Sequence, residues 1–182
     1  MQYYINSVTK EFDKIPEVRK EHLLQLTNYF QEKYEAGKTP KAIVICTHNS
    51  RRSHLGQVWL AVAADYYGLP KLETYSGGTE ATAFNPRAVA ALKRTGLQIT
   101  VENTEVENPT YELRWNDNMQ PYQVFSKKYD SEPNPTEDFA AIMVCTDADE
   151  KCPLVFGADF RISLPFDDPK AYDNTVWETA KY

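Results

Sequence analysis

The chain has 182 residues, of which 42% are hydrophobic and 25% charged, and its formal net charge is −6. This length allows one sizeable domain with its own core, and the composition excludes a disordered chain, a collagen and a disulfide-dense scaffold. The acidic excess argues against a nucleic-acid partner, because phosphate neutralisation needs clustered Lys and Arg. No apolar run reaches the ~20 residues of a membrane helix, and the first residues lack the pattern of a secretory signal. We therefore expect a cytoplasmic protein that acts away from membranes and nucleic acids.

Helices are predicted before the first strand. The segment 16–36 carries an apolar stripe with spacings of 3 and 4, which is typical of an amphipathic helix (Leu23, Leu26, Phe30, Tyr34). Residues 3–13 predict a shorter helix. We interpret 1–40 as an N-terminal helical extension and 41–182 as the α/β domain that follows it.

Strands and helices alternate through most of the remaining chain, which indicates an α/β fold with a parallel sheet and flanking helices. The predicted strands are 42–46, 72–75, 139–145 and 160–164, and the predicted helices are 53–67, 86–94 and 175–181. The stretch of about 101–138 breaks this rhythm. It contains two strand-like runs, 110–115 and 122–129, which predict an inserted β-hairpin.

The chemistry is concentrated in the loop between the first strand and the next helix, which reads Cys46-Thr47-His48-Asn49-Ser50-Arg51-Arg52-Ser53. A short loop that leads into a helix start directs backbone N–H groups at one point, and the helix dipole adds positive charge, so such a loop binds a tetrahedral oxyanion. Cys46 at its rim would be a nucleophilic thiolate, and the Arg52 guanidinium would clasp two anion oxygens. We expect Ser53 to donate a hydrogen bond to that thiolate and to cap the helix, and Asn49 to pin the backbone of the loop.

The pattern Cys-x-x-Asn-x-x-Arg-Ser after a first strand, which contains a CX5R loop, resembles the phosphate loop of low-molecular-weight protein tyrosine phosphatases. It is similar as well to the thioredoxin-coupled arsenate reductases, which share that fold. The resemblance covers about 41–100 and 139–175, and it implies a four-stranded parallel sheet. Cys46-Thr47 and Asn49-Ser50 look more like the reductase form of the loop. His48 stands where the family usually has Gly, and we expect its side chain to restrict the loop or narrow its mouth.

Asp168 is the predicted general acid. The resemblance implies this role, because the family's acid directly precedes a proline after the fourth strand, and Asp168 precedes Pro169. The chemistry needs a carboxylic acid near the oxygen that leaves. The alternative is an ordinary Asp-Pro turn on the surface.

The other two of the three cysteines, Cys145 and Cys152, follow the strand at 139–145. The arsenate reductases carry a cysteine pair at this place and spacing, followed by a proline, and Pro153 matches. The resemblance places this strand beside the first one, so that Cys145 could attack Cys46 and Cys152 could then attack Cys145. Three acidic residues lie between the pair and either keep both thiols protonated or form a solvated loop (Asp147, Asp149, Glu150).

The sequence therefore predicts an arsenate reductase with a three-cysteine relay and a thioredoxin-like reductant. One alternative is a tyrosine phosphatase that uses only Cys46, Arg52 and Asp168 on a phosphate ester. Another is a non-catalytic oxyanion or redox sensor in which Cys145 resolves an oxidised Cys46. We expect no cofactor and no metal ion. Some family reductases bind potassium through the loop Asn and a following Glu, but Gln57 occupies that second position.

Overall fold

The computed structural model describes residues 1–101, 103–151 and 154–182. In chain order its elements are α1 (Gln2–Val8), a 3-10 helix (Thr9–Lys14), α2 (Glu17–Glu35), β1 (Lys41–Cys46), α3 (Arg52–Tyr66), β2 (Glu73–Gly78), α4 (Pro86–Arg94), β3 (Gln98–Val101), β4 (Tyr111–Arg114), β5 (Tyr122–Val124), β6 (Phe139–Met143), α5 (Thr146–Lys151), β7 (Ala158–Ser163), a second 3-10 helix (Pro169–Tyr172) and α6 (Glu178–Lys181). Among these residues no helix has both the length and the apolar character needed to cross a membrane.

The predicted four-stranded parallel sheet is confirmed, with strand order β2-β1-β6-β7. β1 and β6 are its central strands, and their continuous apolar sequences are buried along almost their whole length. A strand that is covered on both faces has no solvent side, which explains why these two runs do not alternate with polar residues. α3 packs on β1 and β2, and α2 packs against β7. The carboxyl ends of β1 and β6 consequently lie side by side at one edge of the sheet.

The N-terminal helical extension is confirmed and is packed onto the sheet. Leu26 and Tyr29 are its buried residues in α2, and Phe30 packs against the same core. The Tyr29 ring stacks on Phe160 of β7 with 5.0 Å between the ring centroids. Leu23, at the edge of the predicted stripe, is 38% exposed.

The inserted hairpin is confirmed as β4 and β5, but it is part of an antiparallel sheet of order β3-β4-β5. β3 was not predicted, because only Ile99 among its four residues is buried and the run is too short for a clear alternation. The sheet covers a second apolar cluster to which Ile99, Leu113 and Val124 contribute. β5 is also shorter than predicted. Residues 125–129 leave this sheet and run along Gly78 at the end of β2, with Lys128 paired to Gly78 in an isolated parallel bridge.

Gly78 is in close contact with the backbone at the end of β1. A Cβ atom added there would lie 2.1 Å from the carbonyl oxygen of Glu80, and 2.7 Å from both the Asn49 nitrogen and the Thr47 oxygen. All three are backbone atoms, and the Thr47 oxygen is also held by a hydrogen bond from Glu80 N–H, so they cannot move aside easily. The loop after β1 therefore depends on a glycine at this position.

We predict that Gly78→Ala lowers the free energy of unfolding by about 2–3 kcal/mol through this overlap. Gly68→Ala is the matched control, because Gly68 has φ +62° with nothing within 4 Å of the added atom. Backbone strain alone should cost about 1–2 kcal/mol there. Urea unfolding of both variants measures the difference. Equal losses would show that close packing at Gly78 is unimportant.

Candidate active site

The loop that follows β1 is held by hydrogen bonds to its carbonyl oxygens. Thr79 N–H donates to Cys46 O at 3.2 Å, and Glu80 N–H donates to Thr47 O at 2.8 Å. Asn49 has φ +45°, a left-handed conformation that Asn tolerates better than most residues, and it reverses the chain here. Because these carbonyls are bonded to the neighbouring segment, the opposite side of the loop can present its N–H groups to an anion.

A directed chain of hydrogen bonds ends at the sulfur of Cys46. The Lys127 N–H donates to Asn49 Oδ1 at 2.8 Å, and Asn49 Nδ2 donates to Ser53 Oγ at 2.8 Å. Ser53 Oγ lies 3.0 Å from Cys46 Sγ. Since Ser53 already accepts from Asn49, its own proton is free to point at the sulfur. All four residues are buried, so each donor in the chain polarises the next and favours negative charge on the sulfur.

Two expectations for this loop need correction. Ser53 does not cap α3. The N-cap position is Arg51, without a side-chain cap bond, because the Ser53 hydroxyl turns inward to Cys46 and Asn49. The Asn49 side chain bonds Ser53 and the backbone of Lys127, so it ties the loop to the insertion as well as to itself.

Arg52 and Asp168 form an ion pair at the mouth of the loop. Arg52 Nη2 donates to Asp168 Oδ2 at 2.8 Å, and Arg52 Nη1 donates to the Phe166 carbonyl at 2.9 Å. The other carboxylate oxygen of Asp168 accepts from Lys170 N–H at 3.0 Å and caps the second 3-10 helix. Asp167 is exposed. The guanidinium predicted to hold the anion thus lies beside the carboxyl group predicted to donate a proton.

The next arginine, Arg51, has a different environment. Its guanidinium donates to Tyr182 Oη at 2.5 Å and to Asp173 Oδ2 at 2.7 Å. Burial alone would raise the pKa of Asp173, but the hydrogen bond from Tyr182 and the charge of Arg51 lower it. Arg51 therefore contributes its backbone to the loop, while its side chain anchors the loop to the C-terminal segment.

His48 extends from the loop toward solvent. Its Nε2 lies 3.8 Å from a carboxylate oxygen of Glu80, and its side chain is 56% exposed. Its carbonyl oxygen is bonded by the Thr82 hydroxyl at 3.0 Å. The side chain stands beside the mouth of the loop.

Cys145 lies against the loop from the side of β6. Val144 N–H donates to Ile45 O at 2.9 Å, which continues the pairing of β1 and β6 beyond the strand ends. The Cys145 sulfur is 3.5 Å from Thr47 Oγ1 and accepts from Ala148 N–H at 3.4 Å. Cys46 and Cys145 are both free and buried. Cys152 and Pro153 lie outside the described residues.

The segment after Cys145 is more firmly attached than its polar composition indicates. Ala148 of α5 is fully buried in the main core. Asp149 forms an ion pair with Arg161 and accepts from Ser163 Oγ at 2.7 Å. Asp147 and Glu150 are exposed. The three acidic side chains therefore have different environments. The carboxylate of Asp149 attaches α5 to β7, and those of Asp147 and Glu150 are exposed to solvent.

The insertion supplies two neighbours of the loop that the sequence did not reveal. Ser126 Oγ is 3.4 Å from the His48 carbonyl oxygen, and Lys127 bonds Asn49. Lys127 is buried, and burial lowers its pKa to about 8. Neither residue belongs to a local motif, and both are more than 70 positions from the loop, so no signal in a single sequence points to them.

Comparisons with known proteins show which proteins this chain is similar to. An arsenate reductase of Bacillus subtilis (strain 168) is 29% identical over 134 residues, which cover 74% of this chain and 77% of the relative. Arsenate reductase 2 of Staphylococcus epidermidis (strain RP62A) is 27% identical over 126 residues, which cover 69% of this chain and 75% of the relative. The crystal structure of a low-molecular-weight phosphotyrosine phosphatase from Vibrio cholerae O395 aligns with a TM-score of 0.38 and 16% identity over 60% of this chain and 57% of that one. No family model matches the chain.

The chain is an α/β protein with a four-stranded parallel sheet, and a Cys-x5-Arg sequence follows its first strand. The relatives confirm the resemblance to arsenate reductases. The similarity extends over most of the chain and most of each relative.

We predict that Cys46 reacts with iodoacetamide near pH 6 in preference to Cys145, and that Ser53→Ala slows this reaction roughly tenfold. The serine proton stabilises negative charge on the sulfur, and one hydrogen bond to a charged group is worth about 1.5–3 kcal/mol. Ser50→Ala is the matched control, because Ser50 lies in the same loop but donates to Ala83 O at 2.8 Å. Peptide mapping by mass spectrometry gives the rate at each cysteine. Preferential labelling of Cys145, or equal rates for the two serine variants, would contradict the role given to the hydrogen-bond chain.

Proposed function

We propose that this chain is an enzyme that reduces arsenate to arsenite through a relay of three cysteines, Cys46, Cys145 and Cys152. The observation that carries the proposal is the second free thiol beside the loop, with Cys145 Sγ 3.5 Å from Thr47 Oγ1. Oxyanion binding needs only the loop, whereas reduction needs two electrons that a pair of nearby thiols can supply. The arsenate reductases among the relatives support the same reading.

Binding begins with an exchange of partners at Arg52. In the free protein its guanidinium holds Asp168. An arsenate dianion in the loop offers two oxygens to the same planar fork, and the loop N–H groups and the start of α3 add further stabilisation. The anion thereby replaces the carboxylate as the partner of Arg52. Asp168 is then released next to a negatively charged ligand, where it can take up a proton.

The first chemical step forms a sulfur–arsenic bond. The Cys46 thiolate attacks arsenic, and one arsenate oxygen leaves as hydroxide that Asp168 protonates to water. Arsenic remains As(V) in this adduct. The hydrogen bond from Ser53 that stabilises the thiolate before attack lies at the sulfur throughout this step.

The following two steps transfer electrons and then move the disulfide. Cys145 attacks the sulfur of Cys46, the sulfur–arsenic electron pair stays on arsenic, and arsenite leaves with the proton of the attacking thiol. A Cys46–Cys145 disulfide remains. Cys152 then attacks Cys145, which regenerates the Cys46 thiolate and produces a 145–152 disulfide. A thioredoxin-like dithiol in the cytoplasm would reduce this disulfide and complete the cycle.

We also propose that residues 41–182 form the catalytic domain, with 1–40 as an extension. β1, β6 and the loop between β1 and α3 carry Cys46, Arg52 and Cys145, and all of them lie within this range. The extension packs against β7, where Tyr29 Oη donates to Asp159 Oδ1 at 2.7 Å.

Phosphate-ester hydrolysis is the second candidate. The Arg52–Asp168 pair stands at the mouth of the Cys46 loop without any contribution from Cys145. A cysteinyl-phosphate intermediate would need only these three residues and no electrons. Measuring arsenite production with thioredoxin beside aryl-phosphate hydrolysis separates the two activities.

We predict that Asp168→Asn slows the chemical step roughly 10²–10⁴-fold, because an amide cannot protonate the leaving group. The same variant should bind arsenate at least as tightly as the wild type, since the amide competes less for Arg52. Asp167→Asn is the control, because Asp167 is exposed and next in sequence. Single-turnover rates and calorimetric arsenate binding are the measurements. If Asp167→Asn were the slower variant, the acid would be misassigned by one residue.

The relay makes a separate prediction for the two other cysteines. Cys152→Ser should release about one equivalent of arsenite and stop as a Cys46–Cys145 disulfide, because the third thiol is missing. Cys145→Ser should stop at the arsenic adduct on Cys46. Mass spectrometry of the arrested proteins, with mapped disulfides, identifies each species.

Any aryl-phosphatase activity of the wild type should persist in both cysteine variants, because Cys46, Arg52 and Asp168 are intact. This activity is the control for folding. The relay is wrong if wild-type protein given arsenate without reductant never forms a 145–152 disulfide. The phosphatase would then be the better assignment.

A further inference from the structure

Lys127 is held between the loop and the end of β2 by its own backbone. Its N–H donates to Asn49 Oδ1 at 2.8 Å, and its carbonyl oxygen accepts from Gly78 N–H at 2.9 Å. The preceding residue, Ser126, accepts from Thr82 N–H at 2.9 Å through its hydroxyl oxygen. The position of this lysine is therefore fixed by the same contacts that fix the loop.

The side chain of Lys127 is a buried cation with no counter-charge among the residues that the structure describes. The residue is 7% exposed. Its Nζ donates to the Phe125 carbonyl at 3.4 Å and lies 4.6 Å from the centroid of the Phe125 ring. No carboxylate of the described residues forms an ion pair with it. Burying an ammonium group without a paired charge is unfavourable, and a bound anion nearby would offset part of this cost.

The charge of Lys127 interacts electrostatically with a residue in the first turn of α3. His54, in the first turn of that helix, is fully buried against the Phe84 ring at 4.2 Å. Burial lowers the pKa of His54 to about 4, and the charge of Lys127 contributes to this lowering. His54 is therefore neutral at pH 7 and cannot repel an anion or pair with one. A helix start carries partial positive charge, so a cation close to it would be stabilised by an anion bound in the adjacent loop.

We propose that Lys127 is a further residue of the oxyanion site, whose buried ammonium group acts from behind the loop as a fixed counter-charge to the bound oxyanion and to the Cys46 thiolate. It is a positioning and electrostatic residue that touches neither of them. The inference rests on the proposed oxyanion-binding function of the loop. This inference gives the insertion a role in anion binding, because the insertion contributes the charged side chain of Lys127.

The backbone of Lys127 is linked to the anion loop through few atoms. Its N–H, Asn49 and Ser53 form the hydrogen-bond chain that ends at Cys46. A buried unit charge close to the loop, at an effective dielectric constant of about 20, changes the affinity for an anion by roughly tenfold or more. A change in anion affinity of this size can be measured by calorimetry. The substitution that produces it should leave the fold intact.

The test is calorimetric binding of inorganic phosphate and of arsenate to the full chain at low ionic strength. Lys127→Met keeps the length of the side chain and removes the charge, and we expect roughly tenfold weaker binding of both anions. Lys128→Met is the matched control: it removes the same charge from the exposed neighbouring residue, and binding should stay within about twofold. The iodoacetamide rate at Cys46 should fall in Lys127→Met and stay unchanged in Lys128→Met.

A merely structural lysine would behave differently. Removing the unpaired buried charge should leave the melting temperature of Lys127→Met equal to or above that of the wild type, whereas loss of a structural contact would lower it. Lys127→Gln provides a second, polar replacement in case Met does not fold. Wild-type-like anion binding in either folded variant overturns the inference. If the wild type binds neither anion, the proposed function fails, and this outcome is distinct from failure of Lys127 alone.

Discussion

The parallel pairing of β1 with β6 is the constraint on which the site depends. Neighbouring strands lie about 4.8 Å apart, and Val144 N–H still bonds Ile45 O after β6 has ended. The chain after each strand therefore begins at nearly the same point in space. Cys46 ends one strand, and Cys145 follows the other. A disulfide needs Cα atoms about 4.4–6.8 Å apart, a spacing that residues at neighbouring strand ends can reach, and the two cysteines belong to no shared motif.

The Arg52–Asp168 ion pair gives the free site a defined resting arrangement. A guanidinium at the mouth of an anion loop would otherwise hold no partner before the ligand arrives, and its orientation would be less fixed. Asp168 provides that partner, and the N–H of Lys170 holds its second oxygen in place. In the proposed mechanism the same contact would limit the affinity for the anion, because the anion must replace a carboxylate that is already bound. Anion binding and release of the acid would thus be coupled through the side chain of Arg52.

The sequence was informative wherever local chemistry decides the structure. The apolar runs of β1 and β6 and the periodic pattern of α2 and α3 predicted the main sheet and its helices. Ser53 shows how a local rule can fail: Ser is a good N-cap, but here the tertiary bond to Cys46 takes its hydroxyl and Arg51 occupies the cap position. Lys127 could not be predicted, because it meets Asn49 across 78 positions of sequence. Only the path of the insertion along Gly78 brings them together.

The relay proposed for the cysteines also requires a conformational change in α5. This helix has six residues, Thr146–Lys151, and at about 1.5 Å per residue it is about 9 Å long, which exceeds the Cα separation of a disulfide. The proposed relay would therefore require the helix to unwind. Its attachments are the buried Ala148 and the bonds of Asp149 to Arg161 and Ser163. One of its first-turn contacts is to Cys145 itself, whose sulfur accepts from Ala148 N–H. In the proposed relay, rotation of that sulfur toward Cys46 would remove this bond, so formation of the first disulfide would loosen the helix before the second disulfide forms.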